Sequence, residues 1–365
     1  MNLSISKDAK VYITAHANFA TGGLEALHQL GRNIINELGI QAFMYYLPLN
    51  HPDPVHKEYK SYNVPIATEI EDDAKNVLIV PEVTFGISLL NSCKNIRKAV
   101  WWLSVDNFYG SRFAINNDIM VLSDRIINGR MSLFDGLNEL VMNRYDNLTN
   151  LYRLLSTGEN VLLTEAFNGV YLHLCQSHYA LNHLKSKGIN NIKYFTDYIV
   201  DVFLGIKIDE DDLSSKEDIV AYNPKGSDFS EKIKDYANKK DSNIKFIPVS
   251  NMSKEEVIAL FKLAKAHINF GSHPGKDRIT REAAYLGCCI ITGKRGGAGY
   301  YEDIPIPDEF KFDDTDDNIP AIISKIKSCL NNFDDEYKKF EIYRKIVENE
   351  KNYSIKALRT IFKTI

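Results

Sequence analysis

The stretch Ile268–Phe312 reads INFGSHPGKDRITREAAYLGCCIITGKRGGAGYYEDIPIPDEFKF and contains two short apolar runs, each followed by a turn rich in glycine and basic residues. The first run ends at Gly271, and the second, Cys289–Thr292, ends at Gly293. Glycine suits the exit from a buried strand because it tolerates backbone angles that other residues avoid. Between the two runs a helix is predicted from about Ile279. Strand, turn, helix and strand in this order predict an α/β domain with a parallel sheet.

Both turns carry cations beside flexible backbone. Lys276 and Arg278 lie just before the predicted helix, and Lys294 and Arg295 follow the second strand. The first N–H groups of a helix have no partner within the helix, so a helix start flanked by cations is suited to bind an anion. Two such turns at neighbouring strand ends predict a site for a diphosphate.

Length and composition limit the class of protein. A chain of 365 residues is long for one core and predicts two domains. The formal net charge of -4 gives no reason to expect nucleic acid as a partner. Five cysteines without framework spacing suggest reduced thiols and a cytoplasmic location. No apolar run is long enough to predict a membrane span.

Alternation of strands and helices extends along both halves of the chain. It predicts two doubly wound Rossmann-like domains, an N-terminal one over 1–200 and a C-terminal one over 201–340. Residues 108–160 interrupt the alternation with polar, amphipathic helical patterns and are interpreted as an insertion, either packed on the first domain or serving as a lid, acceptor groove or membrane-surface patch. The acidic run Asp209–Asp218 has the composition of a linker. After Pro320 the chain is predicted to be helical to its end, with residues 341–365 forming the C-terminal helices.

Three motifs carry a resemblance to the two-domain (GT-B) glycosyltransferases. Gly22-Gly23-Leu24-Glu25 resembles the donor-phosphate glycine turn, and Arg281–Ile291 (REAAYLGCCII) is similar to the LEAMACGxPVI segment of the GT-4-like group. The helix beginning at Gln176-Ser177, with Phe195–Ile199 after it, resembles the hinge segment of that group. The sequence also resembles a bacterial subset that carries HPGKDR and ITGKRG. The resemblance implies two domains that face a central cleft, with the C-terminal helices crossing back onto the first domain.

The resemblance also implies donor-site residues. Glu282 matches the glutamate that accepts hydrogen bonds from the ribose hydroxyls of the nucleotide, and Lys225 matches a basic residue on the diphosphate. Pro274 stands where the family has a second glutamate that faces the transferred sugar, so His273 and the nearby cations are expected to reshape that pocket. The full set of predicted donor-site residues is Gly22, Gly23, Lys225, His273, Lys276, Arg278, Arg281, Glu282, Lys294 and Arg295.

Catalytic candidates lie in the first domain. His16, Glu82 and Asp106 each follow a predicted strand end and could act as a general base toward an acceptor hydroxyl. The preceding Trp101-Trp102 could either stack on a sugar or belong to the core. Asp209–Asp212 and Asp313–Asp317 contain D-x-D spacings, but their acidic, turn-like surroundings favour solvated loops, and no metal or cofactor is expected.

The sequence therefore predicts a metal-independent glycosyltransferase. It would move a sugar from a nucleotide-sugar donor to a hydroxyl of a glycan or lipid-linked acceptor. The resemblance implies a role in bacterial surface polysaccharide biosynthesis and a peripheral contact at the inner membrane. A retaining mechanism is favoured over an inverting one. Two alternatives stay open, a nucleotide-sugar epimerase of the same fold and a non-catalytic nucleotide-binding partner. A dinucleotide-dependent oxidoreductase is disfavoured because no G-x-G-x-x-G follows either opening strand.

Overall fold

The computed structural model describes residues 2–113, 126, 131–135, 163, 166–225, 227–240 and 244–365. Most of the predicted insertion over 108–160 lies outside the described residues. The chain divides into two compact units. Unit 1 contains Met1–Gln176, Ala180–Phe195 and Ile355–Ile365, and unit 2 contains Ser177–Tyr179 and Thr196–Ser354. The sequence predicts divisions after residues 200 and 340.

Unit 1 is built on a parallel sheet that has six strands in the part of the chain that the structure describes, in the order β3-β2-β4-β5-β6-β7. The strands are β2 (Lys10–His16), β3 (Gln41–Leu47), β4 (Val77–Pro81), β5 (Arg97–Trp102), β6 (Leu172–Cys175) and β7 (Ile192–Tyr194). The described helices in this region are α1 (Gly22–Asn33), α2 (Thr84–Leu90), α3 (Val105–Phe113) and α4 (His178–Ser186). Strands β4 and β6 are buried along their whole length, as expected for parallel strands covered on both faces.

The first crossover shows how sequence sets these boundaries. Thr21 caps α1, because its side chain accepts a hydrogen bond from the backbone N–H of Leu24 at 3.2 Å. The helix continues as a wider π-turn over Ile34–Leu38 and stops at Gly39, whose φ of 65° is left-handed. The predicted end at Gly39 is therefore confirmed.

Unit 2 is built on a smaller parallel sheet in the order β11-β10-β8-β9. The strands are β8 (Glu217–Tyr222), β9 (Lys245–Pro248), β10 (Ala264–Asn269) and β11 (Cys289–Thr292). The helices of this unit are α5 (Asp201–Leu204), α6 (Glu210–Ser214), α7 (Phe229–Lys239), α8 (Lys254–Leu263), α9 (Arg278–Tyr285), α10 (Ile319–Asn331) and α11 (Phe333–Lys338). The predicted capping box at Ser253 and Glu256 opens α8.

A buried lysine connects the amino-terminal edge of this sheet to its helices. The Nζ of Lys216 donates to the carbonyl oxygens of Phe261, Ala264 and Leu286 at 2.8, 2.9 and 3.1 Å. Burial lowers the pKa of Lys216. Because these carbonyls lie at the C-terminal ends of α8 and α9, the ammonium satisfies acceptors that the helices leave without partners.

Two sequence predictions about elements are wrong. Asp209–Asp218 is not a linker, because Asp209 and Asp212 form a capping box for α6 and β8 begins at Glu217. The C-terminal helix, α12 (Glu341–Ile361), does not reach the end of the chain. Phe362–Thr364 forms β12, which pairs in parallel with β1 (Leu3–Ile5) inside unit 1. A partner strand at the opposite end of the chain decides this conformation, and local periodicity could not reveal it.

Candidate functional site

The carboxyl edge of the unit 2 sheet contains the point at which strand order reverses. The chain passes from β8 to β9 on one side and then to β10 on the other side of β8. Open α/β sheets bind ligands in the crevice at such a point. The two loops that border it are joined, since the side-chain amide of Asn223 donates to Oδ1 of Asn269 at 3.2 Å. Lys225 lies exposed on the first loop, where its backbone N–H donates to Asn223 Oδ1 at 3.0 Å.

The turn between β10 and α9 is held by short-range hydrogen bonds. Gly271 has a φ of 103°, and its N–H donates to Oδ2 of Asp314 at 2.7 Å. Asp277 caps α9 by accepting from the backbone N–H of Ile279 at 3.3 Å and the hydroxyl of Thr280 at 3.2 Å. Burial opposes the charge on Asp277, but hydrogen bonds and the imidazole of His273 hold its pKa below the ordinary value.

His273 lies inside the unit, although the sequence predicts that it faces a ligand. Its side chain is 1% exposed, with Nδ1 3.4 Å from Asp277 Oδ2 and Nε2 3.3 Å from the carbonyl oxygen of Asn269. The imidazole therefore supports the turn from behind.

The second glycine turn packs backbone to backbone against the first. The N–H of Gly297 donates to the carbonyl oxygen of His273 at 2.7 Å. A Cβ added at Gly296 would lie 2.1 Å from that oxygen, and one at Gly297 would lie 2.5 Å from the carbonyl oxygen of Gly275. Only glycine fits at either position, so this contact requires both Gly296 and Gly297.

The two cations of the second turn lie closer to the surface. Lys294 is exposed, with its Nζ 3.7 Å from a carboxylate oxygen of Asp313, and Arg295 is half-buried. An exposed pair at this separation holds its partners weakly, so Lys294 can exchange Asp313 for an anionic ligand.

The cations of the first turn are paired inside unit 2. Lys276 Nζ lies 2.7 Å from Glu350 Oε1, and Arg278 Nη2 lies 2.8 Å from Asp197 Oδ2. Arg281 is fully buried and contacts both carboxylates, at 2.9 Å from Asp197 Oδ1 and 2.7 Å from Glu350 Oε2. Burial opposes the charge on Arg281, but Asp197 and Glu350 outweigh it and raise its pKa above the ordinary value. This geometry favours a structural role for Arg281 over the predicted contact with a donor.

Glu282 lies next to this cluster in the second turn of α9, which begins at Arg278. The sequence places it at the helix start instead. The residue is 9% exposed. Most of the residue is therefore shielded from solvent, as a side chain that recognises a ligand by hydrogen bonds would be.

The candidates in unit 1 lie at the carboxyl edge of its own sheet, where His16 ends β2 and the other two follow β4 and β5. His16 is exposed, and its ring has edge contacts with Phe19 and Phe85 at centroid distances of 5.6 and 6.0 Å. Glu82 is buried and accepts the backbone N–H of Leu103 at 3.0 Å. Asp106 is buried in the first turn of α3. Of the three predicted bases, His16 is the one that reaches the surface.

Gly22 and Gly23 begin α1 at the same edge. Tyr59 fixes the approach to them, because its hydroxyl accepts from the N–H of Thr21 and donates to the carbonyl of Thr21, both at 2.8 Å. Sequence reasoning missed Tyr59. It lies in a short 3-10 turn, Lys57–Tyr62, to which no motif pointed.

Trp101 and Trp102 belong to the core. Both are almost fully buried, and their Nε1 atoms donate to the Phe195 carbonyl at 3.0 Å and to His173 Nδ1 at 3.1 Å. Neither side chain offers a face for a sugar, so the core alternative holds.

The buried carboxyl of Glu82 should make the stability of unit 1 depend on pH. Burial raises its pKa from 4.5 to about 7. Between these values the folded protein holds a proton that the unfolded chain has released, so stability falls as pH rises through this window. We expect Glu82→Gln, which keeps an acceptor for Leu103, to raise the free energy of unfolding at pH 8 by roughly 3 kcal/mol.

Urea unfolding at pH 5 and pH 8, followed by the fluorescence of Trp101 and Trp102, measures this effect. The exposed Glu58→Gln serves as the control and should keep the pH profile of the wild type. Parallel profiles for Glu82→Gln and the wild type would show that Glu82 does not titrate in this window.

No protein-family model matches the sequence, and no curated protein matches it. Solved structures do match. A glycosyltransferase from Rickettsia africae ESF-5 is similar at 13% identity and a TM-score of 0.58, over 96% of each chain. Sucrose-phosphate synthase from Thermosynechococcus elongatus matches at 12% identity and a TM-score of 0.54, over 96% of this chain and 97% of that one.

The catalytic domain of starch synthase IV from Arabidopsis thaliana, bound to ADP and acarbose, is similar at 9% identity and a TM-score of 0.51. The match covers 98% of this chain and 100% of that domain. At such identities these likenesses establish the fold, which is the mixed α/β, two-domain Rossmann-like fold of GT-B type with parallel sheets. Among the described residues, no helix combines the length and apolar character that crossing a bilayer requires.

Proposed function

We propose that the protein is a glycosyltransferase that moves a sugar from a nucleotide-sugar donor to a hydroxyl of a glycan or lipid-linked acceptor. The observation that carries the proposal is the convergence at the carboxyl edge of the unit 2 sheet. The exposed Lys225 and the two glycine turns, the second of which carries the exposed Lys294, follow the neighbouring strands β8, β10 and β11. The buried Glu282 lies on α9, the helix that leaves the first glycine turn. The starch synthase domain of the same fold binds ADP. Surface polysaccharide assembly, a cytoplasmic location and a contact at the inner membrane stay predictions.

In the proposed donor site, Glu282 accepts hydrogen bonds from the ribose hydroxyls. Its low exposure removes competing water and strengthens such bonds. Lys225, Lys294 and Arg295 face the diphosphate, and positive charge there would stabilise the leaving nucleoside diphosphate in place of a metal ion. Within unit 1, taken by itself, Gly22 and Gly23 would let the backbone at the start of α1 approach a phosphate.

For the acceptor, His16 is the proposed contact in unit 1. It is exposed at a strand end, and Phe19 beside it is 55% exposed, which provides an apolar surface of the kind that packs against sugar rings. Glu82 and Asp106 are buried, so we propose that they orient this edge. A retaining mechanism, which depends on positioning and leaving-group stabilisation, suits this arrangement better than an inverting one.

Calorimetric titration with UDP, ADP, GDP and CMP tests the donor site. The wild type should bind one of these nucleotides, and Glu282→Gln should weaken that binding by about tenfold or more, since each tenfold corresponds to roughly one lost charge-assisted hydrogen bond. Glu217→Gln, an exposed change at the other end of β8, is the matched control and should bind as the wild type does. Absence of binding to all four nucleotides would contradict the proposal.

A further inference from the structure

A buried cluster of charges underlies the first glycine turn. Asp197 and Glu350 are 1% and 2% exposed, and they face Lys276, Arg278 and Arg281, which are 4%, 12% and 0% exposed. Buried ion pairs add little net stability, because desolvation offsets their attraction. Such a cluster is better explained by the geometry that it imposes than by the stability that it adds.

The cluster imposes that geometry on the turn backbone. Arg281 Nε donates to the carbonyl of Asp277 at 3.1 Å, and its Nη2 donates to the carbonyl of Lys276 at 3.3 Å. The same guanidinium is held in place by both carboxylates. The path of the chain over 276–277, just before the first N–H groups of α9, is therefore set by Asp197 and Glu350 through Arg281.

The two carboxylates lie near the two ends of the long unit 2 segment of the chain. Asp197 follows closely on Phe195, where a unit 1 segment ends, and Glu350 precedes Ile355, where the last unit 1 segment begins. Residues near both ends of the long unit 2 segment Thr196–Ser354 thus contact one turn. Arg281 is 84 residues from Asp197 and 69 residues from Glu350 in the sequence, and it hydrogen-bonds to both.

We propose that Asp197 and Glu350 are positioning residues for donor binding, which act by fixing the 276–281 turn through Lys276, Arg278 and Arg281. The proposal rests on the proposed function, since it assumes that this turn meets the donor. It also gives Lys276 a different role from the sequence prediction. Lys276 acts on the donor through Glu350 and the turn, without touching the donor.

A direct contact of Lys276 with the donor and an indirect role through Glu350 predict different effects of the Glu350 substitution on nucleotide affinity. If Lys276 contacts the phosphates directly, then removing the charge of Glu350 releases it, and an anionic nucleotide binds more tightly. If Lys276 and Glu350 act as one unit, then removing either partner disorders the turn, and removing both does no further harm. A double-mutant cycle distinguishes these outcomes.

The experiment is calorimetric titration of UDP and ADP into the full chain as wild type, Lys276→Met, Glu350→Gln and the double variant. We expect each single variant to weaken nucleotide affinity about tenfold, and the double variant to match the singles instead of reaching about a hundredfold. Additive losses, unchanged affinity, or tighter binding by Glu350→Gln would each overturn the proposal.

A control variant and a second cycle keep the result decisive. Lys216→Met removes a buried lysine at the opposite edge of the sheet. It should lower the melting temperature and leave nucleotide affinity unchanged. A loss of affinity equal to that of the Lys276 and Glu350 variants would show that general destabilisation causes the effect, and would overturn the proposal.

If Glu350→Gln does not fold, the cycle of Asp197→Asn with Arg278→Met makes the same test. If the wild type binds none of UDP, ADP, GDP and CMP, the proposed function is overturned together with the positioning role. If the wild type binds and the variants bind equally well, the positioning role alone is overturned.

Discussion

Arg281→Met is expected to lower the free energy of unfolding of unit 2 by about 3–5 kcal/mol, because it removes several buried, charge-assisted hydrogen bonds at once. Asp197 keeps Arg278 and Glu350 keeps Lys276, so the cost comes from the bonds that Arg281 itself makes. Asp197 and Glu350 are both nearly inaccessible to water, so neither can recover its lost hydrogen bonds by solvation. Methionine keeps much of the side-chain volume, and the loss of charge pairing therefore dominates the effect.

Urea unfolding followed by far-UV circular dichroism measures this loss. Tryptophan fluorescence reports on unit 1, since both tryptophans lie there, and should change little. Lys294→Met is the matched control. It removes an exposed cation whose carboxylate partner is 3.7 Å away, and it should cost no more than about 0.5 kcal/mol. Equal effects of the two substitutions would show that the buried cluster does not anchor the turn.

Gly296→Ala is expected to lower the free energy of unfolding by about 3 kcal/mol and to abolish measurable nucleotide binding. The added methyl group would lie 2.1 Å from the carbonyl oxygen of His273, and the residue has a φ of 54°. Neither backbone can move without separating the two glycine turns, whose contact shapes the proposed phosphate site.

The matched control separates strain from collision. Gly39 has a similar φ of 65°, but a Cβ added there would meet no atom within 4 Å, so Gly39→Ala carries the backbone cost alone, about 1 kcal/mol. Urea unfolding and nucleotide titration of both variants give the comparison. If Gly296→Ala behaves like Gly39→Ala in both measurements, the close packing of the two turns is not required for binding.

The elements that the sequence predicted well are those in which local chemistry decides the outcome. A pattern of a few residues is enough to predict three of these elements. They are the capping box at Ser253, the left-handed helix end at Gly39 and the strand Cys289–Thr292. The prediction of a linker over Asp209–Asp218 was wrong because the same acidic composition occurs in solvated linkers and in capped helix starts. Here Asp209 and Asp212 use their carboxylates to cap α6.

The candidate site was predictable in position but not in the partners of its charges. Glycine turns after β10 and β11 could be read from spacing, and they do pack together. Lys276 and Arg278 resembled ligand-binding cations because their carboxylate partners come from distant parts of the chain. Nothing local to the 276–281 turn indicates Asp197 or Glu350, and only the tertiary structure brings them together.

Analysis of the reaction products shows whether the protein transfers a sugar. The nucleotide sugar that matches the bound nucleotide is incubated with the wild type or Glu282→Gln, with and without a fraction of glycan and lipid-linked acceptors. We expect the wild type to release nucleoside diphosphate and transfer the sugar to an acceptor, and Glu282→Gln to be slower by about a hundredfold. Epimerised sugar formed from donor alone, or nucleotide binding that depends on Glu282 with no sugar transferred to any acceptor, would contradict this expectation.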